Sequence, residues 1–200
     1  KTVNKTERMK VTTCLNPLHT ALAVYGCLLG YDSIAAEMRD PELKALVEHI
    51  GYDEGMPVVV DPRILNPRAF LREVLEQRLP NPFIPDTPQR IATDTSQKIP
   101  VRFGETLKSY MASPTLDPAS LTAIPLELAG WLRYLLGVDD EGRDMAVSPD
   151  PMLEQLQQAL TGVKLGQPQS VHGAIRPILE NKVLFGVNLY EAGMAEKVER

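Results

Sequence analysis

The sequence predicts an all-α chain, and three observations carry that prediction. Strand signals are few: Val58-Val59-Val60 reads best as one, and it is short and flanked by prolines. Proline follows Asn or Asp at seven places, a pairing that supplies a capping oxygen and then a first helical residue with φ already fixed. After four of those places apolar residues recur three and four apart, the spacing of one helix face.

Taken in order, Asn16-Pro17 opens an apolar stretch, Leu18 to Leu29, that stops at Gly30 and reads as a buried helix. After Asp40-Pro41, Leu43, Leu46 and Val47 share a face. After Asn66-Pro67, the pairs Phe70/Val74 and Leu71/Leu75 lie four apart. Asp117-Pro118 precedes Leu121 to Leu136, apolar nearly all round, with Pro125 expected to kink it. After Asp150-Pro151, Leu153, Leu156, Ala159 and Leu160 form a stripe. Asp61-Pro62 and Asn81-Pro82 fall in Pro-rich connections at 54–67 and 79–88, and a third connection spans 138–151. The sum is a multi-helix single domain of roughly eight helices. Its 200 residues and 44% hydrophobic content suit one core.

Charge and cysteine usage exclude several functions. A net charge of -5 and a pI near 5.3 argue against nucleic acid, because phosphates call for a basic face. Cys14 and Cys27 both lie in apolar stretches, as free thiols in a reducing compartment such as the cytoplasm would. His19, His49 and His172 are scattered and no CxxC occurs, so no metal site is expected. No run approaches membrane-spanning length. The chain opens without Met or a signal-peptide pattern, as a truncated or proteolysed piece would.

Two short stretches hold the residues suited to chemistry. In Lys10-Val-Thr-Thr-Cys-Leu-Asn16-Pro-Leu-His19, Asn16 is expected to cap the helix beginning at Pro17, with His19 one turn on. A helix N-terminus carries partial positive charge, which suits a polarised carbonyl or an alkoxide. Lys10 could reach the same spot, and a lysine serves as general base once burial and positive neighbours lower its pKa. About 70 residues later, Arg90 and Lys98 flank the polar turn Asp94-Thr95-Ser96. Arginine offers a fork for vicinal hydroxyls or a carboxylate, and lysine a point charge. On spacing alone, plain capping and a solvated loop explain the same residues. No GxGxxG, Walker loop or GxSxG occurs. The composition therefore reads as the substrate half of an enzyme.

Three segments resemble the C-terminal domain of the mannitol dehydrogenase family, the polyol-specific long-chain dehydrogenases that include mannonate oxidoreductases (fructuronate reductases) and tagaturonate reductases. The first is Lys10 to Ala23, similar to the family's Lys, Asn, x-x-His signature opening a buried helix. The second is Asn81-Pro-Phe-Ile-Pro-Asp-Thr-Pro-Gln-Arg90-Ile-Ala-Thr-Asp-Thr-Ser-Gln-Lys98-Ile-Pro100. The third, Leu128-Ala-Gly-Trp-Leu-Arg-Tyr134, is similar to the family's Ala-Gly-Trp-x-Arg-Tyr. The family's Lys-to-Asn separation is five and here it is six, so a local bulge before the helix has one residue to absorb. Pro17 and Thr95 stand where the family often has Gly, which marks a divergent subgroup.

The resemblance implies a fold like the 6-phosphogluconate-dehydrogenase-like C-terminal domain. It implies that residues 1–200 form a helical substrate-binding and catalytic domain, following an N-terminal dinucleotide-binding domain absent from this chain. It implies hydride transfer between NAD or NADP, bound mainly by that other domain, and a secondary alcohol or ketone. By the same resemblance Lys10 is the general acid/base, Asn16 hydrogen-bonds the reacting oxygen, His19 positions a substrate hydroxyl, and Glu7 helps the lysine exchange protons with solvent. Arg90 and Lys98 bind the far part of the substrate. With Arg102 they suit an acidic sugar, so D-mannonate/D-fructuronate interconversion is favoured and mannitol/fructose comes next. The alternative is a helical interaction or dimerisation module with no catalysis of its own.

Overall fold

A computed structural model describes residues 2–200; Lys1 lies outside the described residues. Thirteen α-helical segments follow one another among them, and the only extended pairing is an isolated antiparallel bridge between Val138 and Asp144. The chain is all-α, as its sequence predicts. It divides into two compact units, Lys1–Ala92 and Thr93–Arg200.

Thirteen segments replace the expected eight or so because six of them are only four or five residues long, and several of the others change pitch partway along. Thr2–Met9 runs into a π segment, Lys10–Cys14; Pro41–Glu48 runs into His49–Gly55; Pro67–Glu73 runs into Val74–Arg78. In the second unit Thr95–Ile99 passes through Pro100–Gly104 into Glu105–Ala112. A π turn closes its hydrogen bonds over five residues instead of four. Apolar periodicity averages over such a change, so the sequence reads fewer and longer helices. The π segment His49–Gly55 and the 3-10 turn Met56–Val58 also claim the start of the stretch read as a connection at 54–67.

The Asx-Pro pairs sort into three outcomes. Asp40 caps its helix by accepting from the Glu42 and Leu43 amides, and Asn66 accepts from Ala69. Each such cap is worth about 1 kcal/mol. Asp61, Asn81 and Asp150 accept from the amide two residues on without a cap, and Asp117 does the same at the start of the 3-10 turn Pro118–Ser120. Asn16 departs from expectation. It is the first residue of the helix Asn16–Leu29, the cap position falls on Leu15, and no side-chain cap bond forms there. The physical reason is the junction before it: Leu15 leaves helical geometry at φ -135° and ψ -63°, yet it donates to the Lys10 carbonyl while its own carbonyl accepts from His19, so its backbone bridges the π segment and the helix.

Helix Asn16–Leu29 is the centre of the first unit. Leu18, Ala21, Leu22, Ala23 and Val24 are all 0% exposed, and burying each leucine is worth about 1.5–3 kcal/mol. The helix ends at Gly30 with φ 77°, a left-handed closure that glycine adopts without strain. Gly26 lets two elements press close. A Cβ there would sit 2.3 Å from a Glu37 carboxylate oxygen and 2.7 Å from the Pro88 ring. Helix Pro88–Ile91, which carries Arg90, therefore lies directly on the helix that carries His19. Cys14 and Cys27 are free and buried, and burial pushes both thiols up to about 12, so neither is a reactive nucleophile.

In the second unit helix Ala123–Tyr134 is buried along most of its length. Pro125 is its third residue, where no intrahelical N–H bond is lost and no kink is required, contrary to expectation. Trp131 is fully buried and meets Phe185 edge-on, with ring centroids 6.1 Å apart. The Tyr134 hydroxyl accepts from the Ser148 amide at 2.6 Å. Glu127 lies on the same helix, 0% exposed, and its carboxyl meets no hydrogen-bond partner among the described residues. Burial raises its pKa well above the ordinary carboxyl range. No described helix is long and apolar enough to cross a membrane.

Candidate active site

The sequence-predicted residues of the first unit come from three neighbouring elements. Glu7 is exposed on helix Thr2–Met9. Lys10, half-buried, is the first residue of the π segment, and its ammonium lies 5.8 Å from the centre of the Phe70 ring. The same segment is held from within: Thr12 Oγ1 donates to the Arg8 carbonyl at 2.7 Å. The helix that follows presents Asn16 and His19, both half-buried, in its first turn. Asn16's carbonyl accepts from the Thr20 hydroxyl at 3.1 Å.

His19 is joined to Arg90 by a residue that the sequence reading leaves out. Asp86 Oδ2 lies 3.3 Å from His19 Nε2, and Asp86 Oδ1 accepts from Arg90 Nη2. The His19 and Asp86 side chains are only 14% and 16% exposed, whereas Arg90 is 62% exposed. Seventy-one positions separate His19 from Arg90 in sequence (90 minus 19), and one carboxylate closes the gap. The signal that could have found Asp86 is its spacing. It stands four residues before Arg90, the separation at which opposite charges meet on one helical face.

Lys98 stands in the second unit, half-buried on helix Thr95–Ile99. The Asp94-Thr95-Ser96 stretch is a built helix start, in place of the solvated turn that its composition allows. Asp94 sits in the left-handed region at φ 57°, a place Asp tolerates better than most residues. Thr95 and Ser96 are buried, and the Ser96 amide and hydroxyl both donate to the Asp150 carboxylate. Burial lowers the Lys98 pKa and the neighbouring Arg102 guanidinium lowers it further, while Asp94 and Asp150 pull it back up. Burial also lowers Arg102, to about 10.

Among the described residues no group of three or more His, Cys, Asp or Glu could hold a metal ion. Among the described residues there is no strand beyond the single bridge, and the helices at Pro41, Pro67 and Pro88 start with Asx-Pro or Thr-Pro in place of a Gly-rich turn.

Comparison with known proteins identifies the family of the chain. The family described as mannitol dehydrogenase C-terminal domain matches residues 2–200. A D-mannonate oxidoreductase of Thermotoga maritima is 63% identical over 199 residues, covering 100% of this chain and 37% of that protein. The D-mannonate oxidoreductase of Escherichia coli is 32% identical over 152 residues, covering 76% of this chain and 30% of that protein. Among solved structures, the Pseudomonas fluorescens mannitol 2-dehydrogenase in ternary complex with NAD and D-mannitol shares the fold. Its TM-score is 0.71 at 24% identity, over 98% of this chain and 40% of that one. The chain thus spans well under half the length of each of these proteins.

Proposed function

The chain belongs to the mannitol dehydrogenase family as its C-terminal domain, and from that premise we propose that it supplies the substrate-binding and proton-transfer half of an NAD(P)-dependent oxidoreductase. Such an enzyme interconverts a sugar acid or polyol and its ketose, with D-mannonate/D-fructuronate favoured and mannitol/fructose second. The 63% identity to a D-mannonate oxidoreductase supports that order. The dinucleotide is held by an N-terminal domain of the same polypeptide, no metal takes part, and the compartment is the cytoplasm, where buried free thiols such as Cys14 and Cys27 persist. A nicotinamide, when bound, supplies the hydride chemistry; the residues here handle the oxygen and its proton.

One observation carries the reading. Lys10 opens a π turn that ends one residue before the helix bearing Asn16 and His19, and the Leu15 backbone bonds to both, which supports a local accommodation of the longer Lys-to-Asn separation. Neutral Lys10 Nζ accepts the hydroxyl proton in the oxidation direction and, once protonated, returns it to the ketone oxygen in reduction. Asn16, at the helix N-terminus, stabilises the negative charge that develops on that oxygen. His19 orients a neighbouring hydroxyl. Glu7, exposed three residues before Lys10, exchanges its proton with water. Arg90 anchors the far end of the substrate so that the reacting carbon is presented in one pose. Lys98 enters on the family resemblance alone, as a second anchor.

Steady-state kinetics of the full-length protein test this. The catalytic efficiency kcat/KM is expected to be higher with D-mannonate than with D-mannitol. Arg90→Ala should raise KM for the acid by about tenfold, the worth of one charge-assisted contact. A preference for D-mannitol with an unchanged KM in Arg90→Ala would overturn the sugar-acid assignment. The division of labour has its own check. Calorimetric titration of this chain alone with NADH should show no binding, because it lacks a phosphate cradle. Micromolar binding would mean that the cofactor site lies here.

A further inference from the structure

Resting on that reading of His19 and Arg90, we propose that Asp86 is the positioning residue of the substrate site: one carboxylate sets the ring of His19 and the fork of Arg90 together. Asp86 is itself held on both sides. Its carbonyl accepts from the Ile34 amide at 3.0 Å, which ties it to helix Ile34–Glu37. The next residue, Thr87, caps helix Pro88–Ile91 by accepting from the Arg90 amide, so the backbone that follows Asp86 is the start of the helix bearing Arg90. The carboxylate is mostly enclosed, in a narrow crevice shared with His19, Ile34, Leu79 and Ile84.

The chemistry follows from what a carboxylate can do. It only accepts, so the His19 nitrogen facing it, Nε2, carries a proton, and the ring's Nδ1 takes the acceptor role toward a hydroxyl proton. A histidine that must recognise an alcohol needs that tautomer fixed before the substrate arrives. Arg90 is mostly exposed and its long side chain would sample many rotamers. Engaging one Nη through Oδ1 restricts it while the exposed remainder of a five-donor fork keeps donors for a substrate. Asp86 touches neither reacting atom in this scheme; it acts through the two residues that touch substrate.

The test is kcat/KM of the full-length enzyme in two backgrounds. In the otherwise native enzyme Asp86→Asn is expected to lower kcat/KM by about 10–100-fold, the usual worth of a partner that orients a functional histidine. In a His19→Ala, Arg90→Ala background the same change should cost less than about twofold, because its targets are gone. An equal loss in both backgrounds would mean that Asp86 only supports the fold, and the proposal falls. If His19→Ala, Arg90→Ala alone has native kcat/KM, the substrate site itself is misassigned and this inference goes with it. Should Asp86→Asn not fold, Asp86→Glu decides. A positioning role needs the carboxylate, so Asp86→Glu should retain more activity per folded molecule than Asp86→Ala. The reverse ranking overturns the proposal.

Discussion

Replacing Lys10 by Ala in the full-length enzyme is expected to cut turnover by about 10² to 10⁴-fold, the range that a positioned general acid/base supplies. The loss should appear in kcat and in kcat/KM alike, because the proton is moved in the transition state and not on binding. A small primary amine added to the assay should partly restore the rate of Lys10→Ala, and should leave the native enzyme unaffected. The geometry behind this expectation is local. Lys10 begins the π segment, its ammonium sits over the Phe70 ring, and the segment joins the helix of Asn16 and His19 through Leu15. Near-native turnover in Lys10→Ala would remove the lysine from the chemistry and leave the helix N-terminus and the Asp86 cluster as a binding site only.

The second large effect is on stability and belongs to Glu127. Its carboxyl is fully buried and meets no hydrogen-bond partner among the described residues, so the folded chain keeps the proton to a pH well above the ordinary value of 4.5. The unfolded chain gives it up near that ordinary value. Between the two, unfolding releases a proton, so stability falls as pH rises from about 4.5 and levels off only above the raised folded value. Glu127→Met removes both the titration and the unmet polar group. It should stabilise the domain by about 1–3 kcal/mol at neutral pH, with a larger gain at alkaline pH. Chemical denaturation of native and variant chains at pH 5 and pH 8 measures this. Parallel pH dependences would show that Glu127 is solvated or paired in solution.

The sequence made the fold class and the helix centres legible because their signals are local. Capping at Asp40 and Asn66 and the buried run from Leu18 to Leu28 need no knowledge of distant residues. The proposed site draws on local sequence in the same way: Lys10, Asn16 and His19 fall within ten positions (10 to 19). Three things were not legible. The π segments depend on hydrogen bonds one residue longer than periodicity assumes. Pro125 looks identical in sequence whether it falls in a helix interior or its first turn. Asp86 looked like connection, because its two side-chain partners include a histidine far back in the chain that only folding delivers. Ser96 was hidden likewise, since its partner Asp150 lies 54 positions away.

The wide turn at Lys10–Cys14 has a consequence for how sites of this kind can be found and how they tolerate change. Adding a residue to an α-helix rotates everything beyond it by about 100°, which on the proposed reading would swing Lys10 away from Asn16 and His19. A turn that swallows one extra residue cancels that rotation. Two chains can therefore hold the same three groups in the same orientation with a Lys-to-Asn separation of five in one and six in the other. A search that fixes the gap would discard this chain, and one that follows the helix phase would keep it. On the proposed reading, length variation at this point is uncoupled from the chemistry beside it, and the turn works as a slip joint in the polypeptide.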